Sequence, residues 1–480
     1  MKRFIAFALL SALLVSCGEG AVDNKVTTSS DSGMTSEDTT IDMSSVNELP
    51  DMKWDGREFR VLGRENATYT QFNNFEIYAE SENGDLVNDA VFRRNARIED
   101  KYDVKITQTL VDEPHSALRQ AVLAQDDLYD LVFNEIRSIG TLATDGYFYD
   151  FNQIDYIDFS KSYWNPDVNE ALTVGDSLYF TSSDFSLRDK NRVYIMIYNR
   201  DMLEKFKLDD VITKVRGNKW TYDTMYEYVK TVNIDLNSHG TMGIEDNYGI
   251  GFDSVYGFYS LMYGFGNSML RTSNGKLDLA MNNEHMISSI DKALAIAENG
   301  FYCGDFIGKV DYDFNSVAGT LFAQQQVLFT TSFPHSLASR SAKCNFNYGV
   351  CPFPKYDDEQ DKYLAMADVY GMLFSVPVTT PNPEFSGFML EALSSDSQEV
   401  LYNYYELTCK VKHTYDEDSA EMLDIIFDGI VYDLGSIYDI GLKNIWTSIS
   451  NNKTNNFSSA YASVESSARE NLQNILDNFS

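Results

Sequence analysis

The chain has 480 residues and a formal net charge of −34 at pH 7, with 38 Lys and Arg against 72 Asp and Glu, and 14% of its residues are aromatic. That balance excludes binding to nucleic acid, and binding to anionic lipid through charge, because both need a basic surface. Once a polar N-terminal segment is set aside, about 430 residues remain, a length that predicts two lobes rather than one.

Lys2 and Arg3 precede an apolar run from Phe4 to Val15 that only Ser11 interrupts, too short for a comfortable membrane span. Residues 1–16 therefore read as a signal peptide. The run closes on Leu14, Val15, Ser16, Cys17 and Gly18, which resembles the bacterial lipobox. Cleavage there leaves Cys17 as a lipidated N-terminus, with an ordinary secretory signal and a chance Cys as the other reading. From Gly18 to Pro50 there is no aromatic residue and a third of the positions are Ser or Thr. Such a segment buries too little apolar surface to offset its ordering entropy, so 17–53 reads as a lipidated Cys and a flexible tether of roughly 30 Å as a coil.

Beyond Trp54, the short β-prone run Phe59 to Leu62 is followed by a helical stripe of Val87, Val91, Ile98 and Tyr102 over 86–102. A strand at 104–107, a helix at 116–125 and a strand at 129–133 continue the alternation of βαβ units and a largely parallel sheet. Val193 to Tyr198 is almost wholly apolar, a strand buried on both faces, and Asn199, Arg200 and Asp201 lead into a helix through Phe206. Thr221 is the expected N-cap of the next helix. Helical spacing recurs at 286–298 and 314–325, strands at 327–331 and 348–352, and a turn at Pro377 to Pro383. Asp418 and Glu421 read as a capping-box pair, and Tyr461, Val464, Ala468, Leu472 and Ile475 form the apolar face of a last helix.

Several chemistries are absent. No Gly-rich phosphate loop with Lys and Ser/Thr occurs, and no G-x-S-x-G elbow. Asp311, Asp313 and Asn315 resemble the start of an EF-hand loop, but Ser316 and Phe322 stand where Gly and Glu are needed, so they read as a solvated turn rather than a metal site. No cofactor is implied. Setting Cys17 aside, Cys303, Cys344, Cys351 and Cys409 allow three pairings, with Cys344 to Cys351 the local option and free thiols the alternative. What the chain does offer is aromatics beside Asp, Asn and Ser at 163–167, 181–185, 252–253, 263–268, 331–335 and 368–370. A pyranose wants an aromatic platform edged by short polar side chains. For any one of these residues, a buried aromatic next to a cap or turn is the competing reading.

The pieces GDLVNDAVFRRNARIEDKYDVKI at 84–106, VYIMIYNRDMLEKF at 193–206, KWTYDTMYEYVK at 219–230, YGIGF at 248–252, FNYGVCPFPKYDDEQ at 346–360 and DEDSAEMLDIIFDGIVYDLG at 416–435 occur in this order. Together they resemble the extracellular solute-binding proteins of family 1, the maltose-binding-like group. The resemblance implies an α/β, periplasmic-binding-protein-like fold of type II, a two-lobed Venus flytrap with discontinuous lobes. Lobe one would be 54–192 plus 372–412 and lobe two 193–371 plus 413–480, joined by hinge crossings near 190–194, 367–372 and 412–416. It further implies capture without chemistry, with no catalytic residue, no metal and no cofactor. The ligand would be a small solute of the carbohydrate class, the partners ABC permease subunits, the place the extracytoplasmic face of the bacterial membrane, and the state monomeric. Ligand-facing positions carried over are Ser332 and Phe333, Phe252 and Asp253, and the loop from Tyr263 to Asn267. His335 and Tyr370 lie in the same aromatic-polar segments, and Trp164 and Asp184 are placed near the cleft rim. Where relatives have Trp, this chain has Phe333, Pro334 and His335. A surface glycan hydrolase, with two carboxylates about 5 to 9 Å apart, and an adhesive lipoprotein are the alternatives.

Overall fold

The computed structural model describes residues 49–273, 276–306, 309, 316–406 and 417–479. The signal segment, Cys17 and most of the tether lie outside these residues, as do Asp311, Asp313 and Asn315, Cys409 and the crossing expected at 412–416.

Among the described residues, thirteen strands follow in chain order: β1 (Arg57–Arg64), β2 (Val104–Val111), β3 (Leu131–Glu135), β4 (Ile195–Asn199), β5 (Tyr248–Phe252), β6 (Leu270–Ser273), β7 (Lys276–Leu279), β8 (Gly300–Tyr302), β9 (Val327–Ser332), β10 (Tyr348–Cys351), β11 (Ala365–Met366), β12 (Met372–Ser375) and β13 (Ile430–Val431). One sheet has the order β12-β3-β1-β2, with β1 parallel to both neighbours and β12 antiparallel to β3. The other has the order β10-β4-β9-β5-β8, where β5 runs parallel to β8 and β9 while β4 runs antiparallel to β9 and β10. Each sheet is thus mixed rather than largely parallel. Every residue of β3, β4, β5 and β9 is buried, as expected of central strands covered on both faces.

The Leu86–Tyr102 helix shows how local signals fix an element. Asp85 accepts from the backbone N–H groups of Val87 and Asn88, the stripe Val87, Val91, Ile98 and Tyr102 is buried, and Asp103 ends the helix at φ 49°. It packs beside β2 and against the Pro383–Ser395 helix, so chain from after β12 covers the first sheet. The Glu417–Asp428 helix packs on β10 of the second sheet. Its Asp418 and Glu421 do not form a capping box: both accept from Arg216 on the Val211–Arg216 helix, Asp418 at 2.5 Å. Thr221 occupies the N-cap of the Tyr222–Val232 helix without a side-chain capping bond. Cys344 and Cys351 are free thiols, so the local disulfide does not form. Among the described residues, no helix is long and apolar enough to cross a membrane.

The chain passes between the sheets along two strips that lie side by side. The first runs through Lys190–Arg192 into β4, and the second returns from β11 through 367–371 into β12. Val193 bridges Ala367 antiparallel, Tyr194 N–H donates to Met366 O at 2.9 Å and Asp368 N–H to Arg192 O at 2.8 Å. Ile136 N–H and Arg137 N–H, at the end of β3, donate to Gly371 O and Val369 O at 2.9 and 3.0 Å. The carboxyl end of β3 is therefore tied to the crossing itself.

Candidate functional site

In open α/β sheets, side chains able to meet a ligand collect beyond the carboxyl ends of the strands. Here Arg64 ends β1, Glu135 ends β3 with Arg137 just after it, and Asp253 follows β5. Phe333 and His335 follow β9. These ends meet at the two crossings, where Arg192 and Tyr194 on one strip face Asp368 and Tyr370 on the other.

Arg192, only 4% exposed, is the centre. Its guanidinium lies over Phe333 at 4.3 Å and over Phe72 at 4.7 Å, with Tyr370 at 6.0 Å. Phe72 follows β1 in the first sheet, whereas Phe333 follows β9 in the second, so one cation bridges both. Nη2 donates to Asp368 Oδ2, and Nη1 meets His335 Nε2 at 2.6 Å. Because a guanidinium can only donate, His335 Nε2 accepts and the ring proton sits on Nδ1, which donates to Ser336 Oγ at 3.2 Å. Burial, with Arg192 and Arg188 close by, pushes the imidazole well below its ordinary value, so it is neutral at pH 7.

Aromatic rings surround this centre. Phe333 stacks on His335 at 5.3 Å and packs on Tyr194 at 4.5 Å, and Tyr194 leads on to Tyr256. Phe72 meets Tyr370 at 5.2 Å. Phe72, Tyr256, Phe333 and Tyr370 are all partly exposed, unlike the rings of either core. Arginines frame the first-sheet side. Glu135 is shared by Arg64 and by Arg137, whose Nε donates to it at 2.5 Å, while the guanidinium of Arg137 covers Tyr370 at 4.7 Å. Arg188 is 1% exposed and its Nη1 donates to Gln71 O at 2.6 Å; burial pushes its pKa down to about 10. On the second-sheet side Asp253 accepts from Ser316 Oγ and faces Arg340 at 4.0 Å. Partly exposed rings over fixed charged groups can stack on a flat apolar face and orient polar groups at its rim.

The structure thus brings Phe333, His335 and Tyr370 together around Arg192, with Ser332 beside them at the buried end of β9 and Asp253 on the adjoining loop. The other expected positions lie outside this cluster about Arg192. Trp164 is fully buried in the first sheet's core, edge-on to Phe374, and its Nε1–H is held by Glu391 at 2.8 Å. Phe252 is core of the second sheet against Tyr302. Tyr263 is buried against Trp446 and, with Asp433 and Ser436, lines a small hollow beside the crossing, whose other walls include Ile136, Met366, Ala367 and Val369. Asn267, buried and donating to Met262 O at 3.0 Å, lines a hollow with Arg271 and His285 near the β6–β7 hairpin. Asp184 ties the 181–192 segment to the stretch around Tyr163 through its N–H to Tyr163 O at 2.9 Å, and burial lifts its carboxyl to about 6. Sequence reading missed Phe72, Glu135, Arg137, Arg188, Arg192 and Tyr256. Their signal was position: basic and aromatic residues directly after strands, and two arginines four apart at a crossing, in a strongly acidic chain. Among the described residues, no group of three or more His, Cys, Asp or Glu is placed to hold a metal ion.

A family model described as bacterial extracellular solute-binding protein matches residues 96–419. Among solved structures, a cyclo/maltodextrin-binding protein complexed with maltotetraose aligns over 89% of this chain and 98% of its own, at 16% identity and a TM-score of 0.55. A maltose-binding periplasmic protein from Listeria monocytogenes in complex with maltose aligns over 88% of this chain and 98% of its own, at 18% identity and a TM-score of 0.55. An ABC transporter solute-binding protein from Thermotoga lettingae bound with alpha-D-tagatose aligns over 88% and 100%, at 15% identity and a TM-score of 0.53. At such identities the similarity is one of fold, a two-lobed α/β architecture. No curated protein matches the sequence.

Proposed function

The chain belongs to the bacterial extracellular solute-binding proteins, and from that premise we propose that it captures a mono- or oligosaccharide between its lobes and delivers it to the permease of an ABC importer. The family is one of exported binding proteins and not of enzymes, so the mechanism is recognition alone. Lobe one is taken as 54–192 plus 372–412, and lobe two as 193–371 plus 413–480. The observation that carries the reading is the ring of partly exposed aromatics about Arg192, drawn from both sheets at the crossings. Similar folds are recorded with maltotetraose, maltose and tagatose, and flat apolar sugar faces suit such rings.

Capture works by differential binding. A saccharide seated among Phe72, Tyr370, Phe333 and Tyr256 touches groups of both sheets at once, and only a closed arrangement lets it do so. Binding therefore shifts an open-to-closed equilibrium by the difference in its affinity for the two states. A monomer is expected, with Cys17 carrying the lipid and 17–53 acting as the leash at the extracytoplasmic face. The test is a thermal-shift screen of the full-length protein against oligosaccharides. A ligand at about 100 times its Kd stabilises the native state by about 2.7 kcal/mol, which reads as a rise of several degrees. If no sugar raises the melting temperature while peptides or polyols do, the carbohydrate reading is wrong.

A further inference from the structure

Arginines are scarce in this acidic chain, yet Arg64, Arg137, Arg188 and Arg192 gather where the strands of the first sheet end and the crossings begin. Two of the four are already occupied. Arg192 is paired with Asp368, and Arg64 with Glu135 and, at 3.3 Å, with Asp112. The other two are only partly engaged, Arg188 by Gln71 O and Arg137 by Glu135. Arg188 Nε and Nη2 are enclosed and have no hydrogen-bond partner among the described residues. The carboxylate facing Arg188, that of Glu76, spends its oxygens on Asn74 Nδ2 at 3.1 Å and Phe75 N–H at 2.9 Å. Arg137 holds Glu135 through Nε alone, its side chain is 43% exposed, and it lies on the ring of Tyr370. Its terminal nitrogens are left for a partner from outside.

A guanidinium is a planar fork whose geometry matches a carboxylate, and a charge-assisted pair is roughly twice as strong as a neutral hydrogen bond. A neutral hydroxyl would use this arrangement poorly. We propose that the solute is an acidic saccharide, a pyranoside bearing a carboxylate that Arg137 takes up while its rings lie against Phe72, Tyr370 and Phe333. This rests on the cleft being a sugar site. Arg192 is neutralised by Asp368, Arg188 keeps unpartnered donors nearby, and Glu135 positions Arg137 by fixing its Nε.

Calorimetric titration of the full-length protein with trigalacturonate, its neutral counterpart galactotriose, and glutarate as a carboxylate without a sugar separates the possibilities. The uronide is expected to bind at least 10-fold more tightly than either of the others. Arg137→Met is expected to weaken the uronide about 10- to 100-fold, several-fold more than it weakens the neutral trimer, and Arg137→Lys to recover part of the loss. Circular dichroism checks that both variants fold. Equal or tighter binding of the neutral trimer, an equal loss for both trimers in Arg137→Met, or glutarate binding as tightly as the uronide overturns the proposal while leaving the cleft itself in place. Binding of neither trimer would overturn the sugar reading of the cleft, and this inference with it.

Discussion

Arg192 and Asp368 offer a measurable test of what holds the crossings together. Arg192 is 4% exposed and Asp368 1%, and the pair joins neighbouring strips of chain. Arg192→Met keeps the apolar contact with Phe72 and Phe333 but leaves the carboxylate of Asp368 buried without its cation. Breaking such a pair from one side costs about 3–5 kcal/mol, a large part of the 5–15 kcal/mol that typically holds a native protein together. Asp368→Leu should cost a similar amount by stranding the guanidinium. The double substitution should cost much less than the two losses added, because neither charge is then left alone. Urea unfolding followed by circular dichroism gives the three midpoints.

A pH arm fixes the cause. Burial already holds the Asp368 carboxyl above its ordinary value, and Arg192 is the nearby charge that lowers it. In Arg192→Met the folded-state pKa therefore rises further, and the folded state binds the proton more tightly than the unfolded chain does. The contribution is then least unfavourable near the unfolded value of 3.8 and grows more unfavourable as pH rises toward the folded one. The penalty of Arg192→Met should be smaller at pH 5 than at pH 7. A double variant whose loss equals the sum of the singles, or a penalty that does not change with pH, would refute the buried-pair argument.

Asp184 has its carboxyl raised to about 6, by burial first and by the like charge of Asp189, against Lys190. Its cost to stability is absent below 3.8, grows between 3.8 and about 6, and is complete above that. A shift of that size corresponds to about 3 kcal/mol at most, and partial exposure discounts it to about 1 kcal/mol. Asp184→Asn should therefore raise the melting temperature at pH 7 and leave it unchanged at pH 3.5. A loss of ligand affinity in that variant would place Asp184 in the cleft instead. Gly140→Ala puts a methyl group 2.5 Å from the carbonyl oxygen of Ile437. The gain in helix propensity is below about 1 kcal/mol, so a net loss of about 1–3 kcal/mol is expected from the forced displacement; a rise in the unfolding midpoint would contradict the close approach. Cys17→Ser should release the protein into the soluble fraction without altering ligand affinity, and a loss of affinity would mean that the anchor has been misread.

What could be read from the sequence was local. Asp85 and the stripe through Val87, Val91, Ile98 and Tyr102 specify the Leu86–Tyr102 helix within a single window, and the apolar run through Tyr198 announces β4 in the same way. Local signals failed where a distant partner took the group. Glu421 looks like a capping residue only until Arg216, 205 positions earlier, claims its carboxylate. Trp164 looks like a platform only until Glu391, 227 positions later, accepts its indole N–H. The site is the extreme case, since Phe72, Arg137, Arg192, Phe333 and Asp368 come from five separate stretches. No periodicity could join them. Aromatic residues beside Asp, Asn and Ser were the signal sought, and it pointed to Phe333, His335 and Tyr370, which the fold places next to Arg192. It passed over the arginines, since a large negative net charge says nothing about where the few cations sit. The more informative rule was positional: in a two-lobed fold, the residues just past a buried strand and those on a crossing are the ones that chain topology delivers to the cleft. Arg64, Glu135, Arg137 and Arg192 all satisfy it. Because Arg192 touches Phe72, which follows β1 of one sheet, and Phe333, which follows β9 of the other, any separation of these two segments must break at least one of those contacts.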